Sequence, residues 1–291
     1  MKNVYEMVTD RIISMLEEGI IPWERPWTGV KDGSFNRITK KPYSLLNQML
    51  LKHDGEYATF KQWTDLGGKI RKGEKSEIIV FWKMQHITEQ NEDGEEITKA
   101  IPILRYYNVF HISQIDGVEP LPEEEIKSSG LEPLEEIEKI LMDYITREGI
   151  KLTNEKSNRA YYSPSLDLIH LPLMEQFKDI SEYYSTFAHE SVHSTMAESR
   201  CNRKTENKNA AFGSTDYSKE ELVAELGAAS ILNMLGIETK SSFRNSAAYI
   251  QSWIKVLKND VKFIVSASSK SEKAVKYILN IKDEEQNVGE D

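Results

Sequence analysis

The run His189-Glu190-Ser191-Val192-His193 lies inside a stretch of helical periodicity in this chain of 291 residues. Residues four apart lie on the same face of an α-helix, so the two imidazoles can approach one metal ion. Glu190 follows the first histidine, where its carboxylate can reach a water molecule at that ion without being a ligand. We therefore expect any fold of this chain to keep these residues on one helix, facing a further ligand from another element.

A second helical stretch offers that ligand. Glu221 lies 28 residues beyond His193, and Glu225 follows one helical turn later. This spacing resembles the Glu-zincin arrangement, in which the first acid binds the metal and the acid four residues later hydrogen-bonds a ligand histidine. Here the second acid is Glu225 rather than an aspartate. The prediction is that His189, His193 and Glu221 bind the metal, with Glu225 behind them.

The chemistry of such a site follows from its donors. Two imidazoles and one carboxylate leave a coordination position of Zn²⁺ open, and the pKa of a water there falls from about 15.7 to about 7. Glu190 would accept the proton of that water and pass it to a leaving amine. We expect one Zn²⁺, with Mn²⁺ or another divalent cation as the alternative. Tyr161 or Tyr162 could hold an oxyanion, although both residue types also suit packing on a strand.

The periodicity predicts an α+β protein in two domains. An N-terminal α+β domain (residues 1–118) contains a long β-hairpin, and a linker covers residues 119–130. A C-terminal zincin-like domain (131–282), with a small sheet and several helices, ends in an acidic tail (283–291). Front helices are predicted over 3–18, 45–51 and 60–66, and hairpin strands over 76–88 and 103–112. Back elements are a helix over 133–148, strands over 150–153, 160–163 and 166–171, and helices over 181–199, 218–235, 244–259 and 261–280. The strand over 166–171 is expected to be the edge to which an extended peptide adds.

The composition limits which cellular compartment and which type of metal site we expect for this protein. Cys201 is the single cysteine, which excludes an intramolecular disulfide framework and a cysteine-rich metal site. The N-terminus has no apolar run of signal-peptide length, and no stretch approaches the roughly 20 apolar residues of a membrane span. We therefore expect a soluble, cytoplasmic protein without a membrane partner.

Charge is divided unevenly along the chain. The formal net charge is −10, of which residues 1–118 carry −1 and residues 119–291 carry −9, whereas residues 31–83 carry 11 basic and 6 acidic groups. Aromatic residues are interleaved with these cations, as in proteins that bind single-stranded nucleic acid. The alternative is that the aromatics form a core and the lysines a solvated face. The candidate contacts to single-stranded DNA are Trp23, Trp27, Arg37, Lys41, Tyr43, Lys61, Trp63, Lys69, Arg71, Lys72, Lys75 and Trp82.

Several ordered runs resemble the ArdC-type antirestriction proteins of mobile genetic elements. The front runs are Ile21-Pro22-Trp23, Pro26-Trp27, residues 36–43, Asn47, and residues 58–63, 67–75 and 107–110, and the back runs are residues 162–172, 189–193 and 220–225. The chain departs from the pattern near Ser44, where such proteins commonly carry a glycine. The resemblance implies a domain that binds single-stranded DNA joined to a zincin-like metallopeptidase domain. It also implies a conjugative plasmid or related element, whose incoming DNA the protein shields from restriction.

Two other interpretations stay open. The protein could be a non-catalytic DNA-shielding protein whose metal site is structural or vestigial. It could instead be a regulatory protease that the front domain delivers to a DNA-bound partner, with a protein or peptide substrate that the sequence does not identify. Double-stranded DNA is a further candidate ligand. Glu190 bears on this choice, because a purely structural metal site needs no general base.

Overall fold

The structure is a computed structural model that describes residues 3–23, 33–90, 96–122, 132–203, 215–237 and 247–282. Helices and short sheets are mixed throughout these ranges, which confirms the predicted α+β class. No helix among them is both long and apolar enough to cross a membrane. Trp27 and the predicted acidic tail lie outside the described residues.

The front half places three helices around a four-stranded sheet. Its elements are α1 (Val4–Glu17), β1 (Ser34–Asn36), α2 (Leu45–Leu50), β2 (Gly55–Thr59), α3 (Phe60–Asp65), β3 (Lys69–Ile70), β4 (Glu77–Gln90), β5 (Glu96–His111) and β6 (Ile115–Asp116). The sheet order is β1-β2-β5-β4, and β3 pairs with β6 in a separate two-stranded sheet. The predicted hairpin is confirmed as β4 and β5. The four short strands were not predicted, because two to five residues are too few for a period-two pattern.

The first helix begins where its sequence provides a capping box. The Asn3 side chain accepts a hydrogen bond from the Glu6 amide at 2.9 Å, and the Glu6 carboxylate accepts one from the Asn3 amide at 2.8 Å. Such reciprocal bonds satisfy amides that have no partner within the helix. Ile12 and Leu16 on the inner face of α1 are buried.

The back half places five helices around a small sheet. Its elements are α4 (Pro133–Glu148), β7 (Lys151–Glu155), β8 (Tyr161–Ser163), β9 (Leu168–Pro172), α5 (Ile180–Ser194), α6 (Thr215–Met234), α7 (Ala247–Asn259) and α8 (Phe263–Ile278). The sheet order is β7-β9-β8, with β9 parallel to β7 and antiparallel to β8. The expectation that the strand over 166–171 is an edge was therefore wrong, since both sides of β9 are paired and β8 is an edge instead.

The two halves share one hydrophobic core. The largest cluster of buried side chains contains residues of α1, α2 and the hairpin together with residues of α4 to α8. The Thr9 hydroxyl donates to the Val261 carbonyl at 2.7 Å, and the rings of Trp23 and Trp253 meet edge to face with centroids 5.2 Å apart. The chain division at residues 119–130 stays a prediction, but the described halves are not two separately packed cores.

Candidate metal centre

The helix α5 carries the paired histidines. Asp179 caps its start, because the Asp179 carboxylate accepts hydrogen bonds from the amide and hydroxyl of Ser181 at 3.0 and 2.9 Å. Buried aromatic residues anchor the helix against the back core. His189 and Glu190 are buried and His193 is partly buried, so all three polar groups are held in the protein interior. Burial of this kind requires partners for each polar group.

The helix α6 approaches α5 closely and supplies the acidic residues. A Cβ atom on Gly227 would lie 2.8 Å from Cγ2 of Val192, so this approach requires a glycine on α6. The contact aligns the first turns of α6 with the end of α5. Glu220, Glu221 and Glu225 thereby face the two histidines across the helix pair.

His189, His193 and Glu221 converge on one point. Their ligand atoms all lie within 4.8 Å of one another. The two Nε2 atoms are 3.1 Å apart, and the Glu221 carboxylate oxygens lie 3.5 Å from His189 Nε2 and 3.4 Å from His193 Nε2. Tetrahedral Zn²⁺ with bonds of about 2.0–2.1 Å separates its ligand atoms by about 3.3–3.4 Å. The three side chains therefore fit a divalent cation of this size.

Each histidine has a carboxylate at its other ring nitrogen. Glu225 Oε2 lies 3.4 Å from Nδ1 of His189, and Glu220 Oε1 lies 3.6 Å from Nδ1 of His193. Such carboxylates orient a ligand imidazole and fix its tautomer. The role of Glu225 was predicted from the sequence, whereas that of Glu220 was not. The only sequence feature that points to Glu220 is that it is an acidic residue directly before the predicted ligand Glu221.

Arg203 holds Glu220 in place. Its guanidinium donates to Glu220 Oε1 at 2.6 Å, to the Val192 carbonyl at 2.9 Å and to the Thr195 hydroxyl. One side chain thus connects the end of α5 with the start of α6. No local pattern could have identified Arg203, because its role depends on the packing of the two helices.

Replacing the carboxylate behind His189 should weaken metal binding without removing it. We expect Glu225→Gln to lower the affinity for Zn²⁺ or Co²⁺ by about 10- to 100-fold, because an imidazole without its carboxylate partner is less basic and less well oriented. Competition with a chromophoric chelator measures the affinity, and the visible spectrum of bound Co²⁺ reports the ligand geometry. Glu198→Gln, which alters an exposed carboxylate after α5, is the matched control. Affinities equal to that control would contradict the orienting role.

The acidic surroundings set the protonation of the metal-free site. Burial by itself would lower the pKa of His193, but hydrogen bonds to Glu220 and Glu221 and the charge of Glu190 raise this pKa to about 10. Burial would likewise raise the pKa of Glu221, but contacts with His189 and His193 hold it far below its usual range. At neutral pH the metal-free site therefore holds a protonated His193 beside an ionised Glu221.

Metal affinity should rise with pH as a result. Because His193 must lose its proton to become a ligand, we expect binding between about pH 7 and 9 to release about one proton, and the affinity to increase about tenfold per pH unit. Calorimetric titration with Zn²⁺ in two buffers of different ionisation enthalpy measures the proton release. Identical heats in both buffers would contradict the raised pKa of His193.

The two tyrosines considered for an oxyanion have other contacts. The Tyr162 hydroxyl donates to Asp167 at 2.9 Å, and Asp167 is in turn bound by Arg200 at 2.6 Å. Tyr161 is exposed on β8 and stacks on His170 with ring centroids 5.0 Å apart. These contacts favour the packing alternative for Tyr162.

The candidate DNA contacts in the front half are divided between core and surface. Trp23, Tyr43 and Trp63 are buried, and Trp63 donates its indole N–H to the Phe110 carbonyl at 2.9 Å. A ring in the core has no face for a nucleobase, so the structure contradicts a stacking role for these three. The remaining described aromatic and lysine candidates are exposed: Lys41, Lys61, Lys69, Lys72, Lys75 and Trp82.

Both candidate arginines are engaged in ion pairs. Arg37 pairs with the largely buried Glu56, while the more exposed Arg71 lies 3.2 Å from Glu74 and 3.7 Å from Asp116. Several exposed aromatic residues were not among the candidates predicted from the sequence. They are Phe60, at the start of α3, and Phe81, Tyr106 and Tyr107, on the hairpin. Their exposure depends on which other segments cover them, which the local sequence does not reveal.

Comparisons with known proteins cover both halves of the chain. Residues 2–110 match the N-terminal domain of anti-restriction factor ArdC, and residues 138–270 match a zincin-like metallopeptidase. A DNA primase TraC of Escherichia coli is 33% identical across 96% of this chain, and a second is 31% identical across 96%. The chain spans only 27% and 20% of the length of these two primases. The uncharacterized protein y4eC of Sinorhizobium fredii is 32% identical, with 93% of this chain and 89% of that protein covered.

Two solved structures have the same fold along nearly their whole length. The metal-free crystal structure of antirestriction protein ArdC from plasmid R388 is 31% identical, with a TM-score of 0.71 and coverage of 95% of this chain and 97% of that one. The Mn(II)-bound structure of the same protein is 30% identical, with a TM-score of 0.73 and coverage of 96% and 98%.

Proposed function

This chain belongs to the ArdC family of antirestriction proteins, and we propose that it protects the DNA of a mobile genetic element by combining two activities. Its front half binds single-stranded DNA, and its back half is a metal-dependent peptidase. The family relationship supports the antirestriction role. The activities of the much longer TraC primases are not carried over, because this chain corresponds to a fraction of each.

The convergence of His189, His193 and Glu221 is the observation that carries the peptidase proposal. When bound there, a divalent cation supplies Lewis acidity, which polarises a carbonyl group and acidifies water. Zn²⁺ is the proposed cation, and the donor set also suits Mn²⁺, which the related ArdC structure binds.

Glu190 is the proposed general base. It follows the ligand His189 on α5, is buried, and lies close enough to His193 for its charge to raise the pKa of that imidazole. A carboxylate in this position accepts a proton from the attacking water and returns it to the leaving amine. Glu225 and the Arg203-held Glu220 keep the two imidazoles in place while this proton moves.

The exposed cations of the front half support the DNA-binding proposal. Lys61, Lys69, Lys72 and Lys75 are exposed on a part of the chain that matches the ArdC N-terminal domain. Phosphates of a single strand are bound by such groups without dependence on base sequence.

Binding of labelled oligonucleotides tests the front half of this proposal. Fluorescence anisotropy with a single-stranded and a double-stranded oligonucleotide of the same sequence should give tighter, salt-sensitive binding of the single strand. The absence of salt-sensitive binding to either would refute a DNA-binding role. The peptidase half is tested by Glu190→Gln, which removes the proposed general base.

A further inference from the structure

The β4–β5 hairpin carries its three basic residues on one face. Side chains alternate between the two faces of a strand, so odd-numbered residues of β4 and β5 share one face in the observed register. The basic residues of β4 and β5 are Lys83, Lys99 and Arg105, which are all odd-numbered. The odd-numbered acidic residues Glu77 and Glu89 lie toward the two ends of β4, so residues 78–88 and 97–108 between them carry cations only. We call the odd-numbered side of these two segments the cationic face.

Two exposed aromatic rings lie on the same face. Phe81 is 46% exposed and Tyr107 43% exposed, and their ring centroids are 6.2 Å apart at an interplanar angle of 66°. Phe81 is directly opposite Arg105 across the strand pair, so a ring and a cation alternate along the surface. Lys83 and Arg105 are themselves exposed.

The opposite, even-numbered face differs in charge. Val80 and Leu104 on that face are buried in the main core, against which α1 and α2 also pack. Trp82 and Tyr106 are 53% and 45% exposed, but the strands carry no lysine, arginine or carboxylate beside them within the two segments. Each face has one ring contact with another segment: the Trp82 ring meets Tyr5 with centroids 6.4 Å apart, and the Phe81 ring meets Tyr43 with centroids 6.3 Å apart.

We propose that single-stranded DNA lies across the cationic face, with unpaired bases on Phe81 and Tyr107 and phosphates near Lys83, Lys99 and Arg105. This inference rests on the proposed DNA-binding function and assigns that function to a surface. Bases stack on exposed rings whatever their identity, while cations follow the backbone. The planes of the two rings are strongly inclined to each other, whereas neighbouring bases in a regular stack are parallel. The rings therefore suit bases that are no longer stacked on each other. A single strand offers such bases, whereas those of a duplex are paired and stacked inside.

The hairpin itself provides a matched pair of variants. Phe81→Ala/Tyr107→Ala removes both rings from the cationic face, and Met84→Ala/Tyr106→Ala removes two comparably exposed side chains, 48% and 45% exposed, from the opposite face. We expect the first variant to bind a fluorescein-labelled oligo(dT) about 100-fold more weakly than the wild type, at about tenfold per lost stacking ring. The second variant should stay within about threefold of the wild type, because removal of ordinary exposed side chains has small effects.

A charge variant gives a readout that loss of packing would not change. The affinity for DNA falls as the salt concentration rises, with a slope of about −0.7 per phosphate contact in a plot of log affinity against log salt for a single strand. Neutralising two contacts should therefore make this slope shallower by about 1.4. Lys83→Gln/Arg105→Gln should show this reduction, whereas the Phe81→Ala/Tyr107→Ala variant should keep the wild-type slope. Circular dichroism and Zn²⁺ binding at the metal centre check that each variant is folded.

The outcomes separate this inference from the function on which it rests. If the wild type binds no oligonucleotide, the DNA-binding function itself is refuted. If the wild type binds and the Phe81→Ala/Tyr107→Ala variant binds equally well, the DNA lies elsewhere and only the assigned surface is overturned. Equal losses in both double variants would also overturn the preference for the cationic face.

Discussion

A His189→Ala variant is expected to lose the bound metal, with affinity for Zn²⁺ or Mn²⁺ reduced by more than about 100-fold. Loss of an outer carboxylate alone costs about 10- to 100-fold in such sites, and removal of a ligand should exceed that. The remaining pair, His193 and Glu221, would face each other at 3.4 Å without the imidazole that completes the set. Metal analysis of the purified protein and competition with a chelator measure this loss.

His170 provides the control for this experiment. It is also buried, on β9, where its Nδ1 lies 2.9 Å from the Thr153 hydroxyl and where it takes no part in the metal centre. His170→Ala should keep the wild-type metal content, which separates loss of a ligand from loss of any buried histidine. Equal metal content in wild type and His189→Ala would refute the assigned ligands. Loading each protein with Zn²⁺ and Mn²⁺ in parallel also shows which cation the site prefers.

Glu190→Gln is expected to abolish peptide hydrolysis while leaving metal binding and DNA binding unchanged. The amide has nearly the shape of the carboxylate but cannot accept the proton of water, and loss of a general base typically costs about 100- to 10,000-fold in rate. Mass spectrometry of new peptide termini, in cells expressing wild type or Glu190→Gln, detects cleavage of any cellular protein and so does not require a chosen substrate. Termini should accumulate only with the wild type.

The same variant distinguishes the peptidase from a shielding protein. Glu198→Gln is the control, since it makes the same chemical change at an exposed position outside the metal centre. Protection from restriction that survives Glu190→Gln, with DNA binding intact, would support a non-catalytic shield. An identical set of peptide termini in wild type and Glu190→Gln would contradict the peptidase proposal.

The metal centre could be predicted from the sequence because most of its geometry is local. Two histidines four residues apart on a helix lie on one face in any fold, and Glu221 and Glu225 share a face for the same reason. The long helices and the hairpin were predictable for a related reason, since each spans enough residues to show its period. The short strands β1, β2, β3 and β6 had no such signal.

Other parts of the site depend on contacts between distant segments. Arg203 and Glu220 are 17 positions apart, and only the packing of α5 against α6 brings them to 2.6 Å. The position of β9 in its sheet was mistaken for the same reason, because strand order depends on pairing between segments rather than on the composition of one strand.

The metal-binding residue types, their helical spacing and the uneven charge of the two halves follow from the order of amino acids alone. The exposure of the front aromatics, in contrast, is set by tertiary packing. Trp63 lies in the core and Phe81 on the surface although both are large and apolar. They differ because the burial of a side chain depends on which other segments cover its face. The base of the cationic face is covered by residues such as Tyr43 and Leu51, while the hairpin beyond it remains open.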